Sequence, residues 1–169
     1  MPIVASDLKM YLSGGAGNTD PNASLGGVIS TTEVIDATIA NLYDNVSSSE
    51  ALAGDVEYRC VYVKNTHATL TLQTAKVFIQ TNTPSADTAV RIGLGTAAIN
   101  ATEQTVVNES TAPIGVTFAT AINEGAALLI GDLVPGAQKA LWYERTVIAG
   151  AAAYNADSVI VQLKGDTAA

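Results

Sequence analysis

VEYRCVYVKNTHATLTLQTAKVFI, Val56 to Ile79, decides the fold. Extended backbone sends successive side chains to opposite faces. Val56, Tyr58, Cys60 and Tyr62 therefore share one face of a strand, and Glu57, Arg59, Val61 and Val63 share the other. The polar run Asn65 to Thr69 reverses the chain before LTLQTAKVFIQ, so the stretch predicts two paired strands with His67 at the tip of a surface turn. Cys60 and His67 are the only cysteine and the only histidine of the chain. Their positions predict a core thiol and a turn imidazole, with no activating partner close in sequence.

Composition extends that reading to the whole chain. A length of 169 residues is enough for one well-buried core and short for two. Apolar residues reach 48% and charged residues only 14%, which is not the profile of a disordered chain. The net charge of −8, with basic residues scattered from Lys9 to Lys164, argues against direct contact with nucleic acid, which needs a basic patch to release counterions. A single cysteine allows no internal disulfide. Asp7 and Lys9 interrupt the first residues where a signal peptide needs an apolar core. No apolar run reaches the roughly 20 residues that span a bilayer, so the expectation is a soluble protein with no membrane partner.

Turn signals divide the remainder into short strands. Ile3 to Leu12 reads as an opening strand, and the Gly-, Asn- and Asp-rich Ser13 to Gly27 as a loop crossed by no regular element. Val28 to Val46 reads as strand with a turn. In Ser47 to Asp55, a serine cap, good helix formers and a glycine stop predict one helical turn. Strands are further expected in Ala89 to Ala97, in the punctuated segment around Val116 to Ala121, around Trp142, and from Val159 to Leu163. Seven to nine short strands without long amphipathic helices predict an all-β fold. The expected architecture is a single-domain antiparallel β-sandwich, jelly-roll or immunoglobulin-like Greek key, with residues 1–27 as N-terminal strand or arm and residues 28–169 as the sandwich domain.

Motifs that could carry chemistry have simpler readings. Asn18, Asp20 and Asn22 alternate as calcium ligands do, but the glycine and distal glutamate of an EF-hand are missing and an Asx-rich turn accounts for them. Gly93 to Ala98 has a glycine pair but no Lys-Ser/Thr to complete a phosphate cradle. Glu103 and Glu109 could form an acid pair only if the fold set their separation. Trp142 on a strand could stack on a sugar, although a lone tryptophan more often fills the core between sheets. No catalytic, metal or cofactor site is expected, and the chain reads as non-enzymatic.

Three blocks, Ile3 to Gly27, Gly54 to Ile79 and Gly131 to Val147, together resemble virion structural proteins of tailed bacteriophages. The resemblance spans nearly the full length and rests on wording rather than on a catalytic signature. It implies a capsid decoration, or cement, protein made in the host cytoplasm and placed on the outer capsid surface, with a tail or baseplate component next; a carbohydrate-binding module is the main alternative outside that class. The implied partners are the major capsid protein and neighbouring copies of the chain, as a trimer. Ile3, Val4, Leu8, Met10 and Leu12 are the expected contact residues, either as an arm added to a neighbour's sheet edge or as an internal edge strand. On the arm reading, removing Pro2 to Leu12 would leave a folded domain.

Overall fold

Alternation in Asp55–Asn65 produces β4, the middle of a five-stranded antiparallel sheet in the computed structural model, which describes residues 2–167. Its neighbours are β1 (Leu8–Ser13) and β9 (Gln138–Val147); β3 (Ile29–Glu33) lies outside β1, and β6 (Thr88–Leu94) outside β9. A second sheet has β5 (Leu72–Thr81) between β10 (Ile160–Thr167) and β8 (Leu128–Leu133). A short ribbon pairs β2 (Gly26–Gly27) with β7 (Glu103–Thr105). The expected all-β sandwich is what the chain forms.

The pairing expected within Val56 to Ile79 is not. β4 and β5 lie in different sheets, because both edges of β4 are already occupied by β1 and β9. The connection is an arch pinned by the buried Asn65. Its amide donates to the carbonyls of Leu70 and Leu133, both at 2.8 Å, while its side-chain oxygen accepts from His67 N–H at 3.0 Å. The backbone of Asn65 also exchanges bonds with Ala137 and Gly136, so one residue fixes this arch and the β8–β9 arch beside it. From β4 on, the long strands β4, β5, β6, β8, β9 and β10 change sheet at every step. Jelly rolls alternate largely in this way, whereas immunoglobulin folds keep consecutive pairs such as A–B, D–E and F–G in one sheet.

The two faces of β4 feed two cores. Val61 and Val63 join Leu12, Ile92, Leu141 and Tyr143 against Val77 and Ile79 of the other sheet. Tyr58, Cys60 and Tyr62 join Ala140 and Trp142 on the opposite face, covered by Ile29 at the start of β3 and by Leu25, Val106, Val116 and Phe118 from the segments flanking the ribbon. Trp142 is fully buried, as expected for a core residue, but under this loop layer and not between the sheets. Each such side chain contributes about 1.5–3 kcal/mol by leaving water. A third cluster around Leu72, Ala75, Leu133 and Ala137 fills the end beside Asn65.

Local chemistry sets the remaining elements. The predicted turn of helix is α1 (Ser48–Ala53): the Ser47 hydroxyl accepts from Glu50 N–H, Glu50 answers with its carboxylate on Ser47 N–H, and Gly54 ends the helix at φ 79°. The opening strand is shorter than expected. Asp7 accepts from Val4 N–H and folds Ala5–Asp7 into a 3-10 turn, so β1 starts at Leu8. The loop from Ser13 to Gly27 does contain regular structure, since Asp20 caps a 3-10 turn over Pro21–Ala23 and Gly26–Gly27 reaches β7. Val116 to Ala121 contributes only an isolated bridge, Ala119 to Ile92. Residue 1 and residues 168–169, at the outer ends of the two expected segments, lie outside the described residues.

Candidate functional site

Cys60 and His67 are separated by the fold. Cys60 lies within the sheet opposite Trp142, and burial pushes its thiol far above the ordinary range, so it stays protonated and enclosed. His67 lies half-buried in the β4–β5 arch, where Nδ1 accepts from the N–H groups of Thr69 and Leu70 at 3.1 and 3.0 Å. Both residues serve the structure.

The other candidates are similarly engaged. Asn18 accepts from Asp20 N–H and Asp20 from Asn22 N–H, each at 2.9 Å, and Asn22 accepts from Arg59. Among the described residues no group of three or more His, Cys, Asp or Glu could hold a metal ion. In the Gly93 to Ala98 stretch, a Cβ on Gly93 would lie 2.6 Å from Val116 Cγ1 and 2.8 Å from the Thr117 carbonyl, so this glycine serves close packing. Glu103 and Glu109 are not brought together. Burial raises the Glu103 carboxyl, but N–H donors from Ala97 and Gln104 and the Thr96 hydroxyl more than offset this and hold it below its usual range. Glu109 instead binds Arg59 at 2.5 Å.

That contact belongs to a charged cluster that sequence reading missed. Glu57 and Arg59 project from one face of β4 and are almost fully buried, and register places Arg145 of β9 opposite Glu57. Arg145 Nε donates to Glu57 at 2.5 Å, its Nη1 donates to the Asp44 carbonyl at 2.8 Å, and Arg59 lies 3.6 Å from Glu57. Both guanidiniums sit over the ring of Tyr43, at 4.5 Å for Arg145 and 5.3 Å for Arg59. Burial drives the Tyr43 hydroxyl well above its usual range and, against the pull of Arg145 and Arg59, raises the Glu57 carboxyl. The cluster's role is to tie Tyr43 and Asp44 to the sheet, holding the segment after β3 across the side of the sandwich. Its sequence signal was two opposite charges two residues apart, Glu57 and Arg59, within the apolar and aromatic run Val56 to Val63 of the strand.

The five expected contact residues divide. Leu12 is 2% exposed and belongs to the core. Ile3 and Leu8 pack on the cluster around Leu72, and the Met10 sulfur faces the Tyr143 hydroxyl at 3.5 Å. Val4 alone stands open, at 52% exposure. Leu8 and Met10 also line a groove of about 490 Å³ between the β3–β1 edge and β10, together with Val34, Ile35, Val161 and Leu163. Leu8–Ser13 itself is bonded on both sides, to β3 and β4, so in this chain it is an internal strand and not a free arm.

The chain matches no family model, no curated protein and no solved structure. No helix among the described residues is long and apolar enough to cross a membrane.

Proposed function

We propose that this chain is a non-enzymatic structural component of a tailed phage particle, acting as a capsid decoration protein that bridges capsomers on the outer shell. The observation that carries the reading is the surface of large apolar side chains on a well-packed sandwich. Ile39, Leu52, Val107 and Ile114 are each more than three-quarters exposed, and Val4, Ile35 and Leu129 more than half. Isolated exposed apolar residues are ordinary, but so many in a protein of low charge support a molecule whose surfaces are covered by neighbours. The acidic balance suits a protein on the outside of a DNA-filled shell. The resemblance of the three sequence blocks supplies the particle class.

A tail or baseplate post would use the same properties, and copy number separates the two. A decoration protein is among the most abundant bands of purified particles, while a tail or baseplate piece is present in far fewer copies. A low copy number would overturn the decoration reading. The carbohydrate-binding alternative loses Trp142, whose ring is enclosed on all sides.

A further inference from the structure

One end of the sandwich carries an apolar surface with a rim of a single sign. It is assembled by α1, the start of β4, the segment after β9 and the β5–β6 turn. Gly150 and Ala151 donate to the Ala51 carbonyl at 2.8 and 3.0 Å, Ile148 N–H donates to the Asp87 carbonyl at 3.0 Å, and Ala152 N–H donates to the Asp87 carboxylate at 2.9 Å. Asp157 accepts from Ser85 N–H at 3.2 Å and from the Thr88 hydroxyl. This frame presents Leu52 at 77%, Tyr154 at 54% and Ile148 at 51% exposure, and α1 buries none of its residues.

Charge identifies what can cover it. Glu50, Asp55, Asp87 and Asp157 all lie on the elements that build this end. The nearest basic groups are already paired within the chain: Arg59 and Arg145 on the buried cluster, and Arg91, itself about half exposed, on Glu144 at 2.7 Å. The lysines lie elsewhere, Lys9, Lys64 and Lys139 toward the opposite end of the five-stranded sheet, and Lys76 and Lys164 on Glu124 of the other face. A second copy docked by this same end would set acid against acid. An anionic membrane or a nucleic acid would be repelled in the same way.

The geometry points to this end as a docking surface for a protein whose own patch has an apolar centre ringed by lysine and arginine. Apolar centre and charged rim follow the anatomy of specific interfaces, in which the rim steers the encounter and a few large side chains such as tyrosine supply the hold. The inference does not require the phage assignment: Leu52 is among the exposed side chains that support both, but the docking surface holds for a partner inside or outside a particle.

The test uses the full chain and three helical peptides: one of leucine and lysine with the leucines on one face, one with serine replacing leucine at equal charge, and one with glutamate replacing lysine. The leucine–lysine peptide is expected to give saturable amide shifts in NMR spectra, centred on Ala51 to Ala53 and Ile148 to Tyr154. Raised salt should weaken it, and the other two peptides should bind at least about tenfold more weakly. L52S with Y154S should lose a similar factor while the rest of the spectrum stays in place, since both side chains are more than half exposed. Shifts centred on the groove beside Met10, equal binding of the serine peptide, or undiminished binding by the double variant would overturn the proposal. So would self-association in sedimentation that the double variant abolishes, or binding of the wild-type chain to anionic vesicles.

Discussion

Asn65 shows how much of this fold depends on single polar side chains in corners. Replacing it with alanine removes two amide donors and leaves the Leu70 and Leu133 carbonyls without them. N65A is expected to cost about 2–3 kcal/mol, read as a shift of the urea midpoint. The buried cluster gives a second, pH-dependent case. Because burial raises the Glu57 carboxyl in the folded state, its contribution to stability is fullest below the unfolded value of about 4.3 and is lost as pH rises through the folded value. R145L removes the chief opposing charge and moves that carboxyl higher still. The variant is expected to lose about 3–5 kcal/mol at neutral pH, with the deficit shrinking as acidification protonates Glu57. Urea unfolding at neutral pH and near the ordinary carboxylate range would show the trend, and a deficit that grows on acidification would refute it.

At the scale of elements, much was legible because local rules were enough. Ser47, Glu50 and Gly54 wrote the single helical turn into nine residues, and period-2 alternation located β4, β6 and β9. Sheet membership was not legible. Alternation specifies which residues face together but not which strand lies alongside, and a polar turn after β4 looks the same whether the chain folds back as a hairpin or arches across. The three-residue β7 and the two-residue β2 are too short for any periodic signal. The candidate site was less legible still: Leu12 and Met10 have the pattern of a contact strand, yet hydrogen bonds on both edges draw them inward. Deleting residues 2–12 is therefore expected to remove an internal strand and abolish the cooperative unfolding transition. A soluble, cooperatively folded product would show that β1 is dispensable.

At the scale of the molecule, the alternation between sheets makes the fold non-local. Neither sheet is completed by strands adjacent in sequence, so loop-closure entropy is spent before most pairings form. Refolding is expected in the millisecond-to-second range characteristic of β-sandwiches, measured by stopped-flow Trp142 fluorescence. Cys60 offers an independent probe. With its thiol enclosed and protonated, a thiol reagent should leave the native protein unlabelled and react at a rate set by global unfolding. Prompt labelling without denaturant would mean that the layer over Trp142 opens by itself.

The placement of the lysines has a practical side. Amine coupling to a bead or sensor can use only Lys9, Lys64, Lys76, Lys139 and Lys164 or the chain's amino terminus, and none of these lysines lies on the acidic end. A randomly biotinylated preparation is thereby an oriented one, tethered through its flanks and far pole with Leu52 and Tyr154 facing the flow.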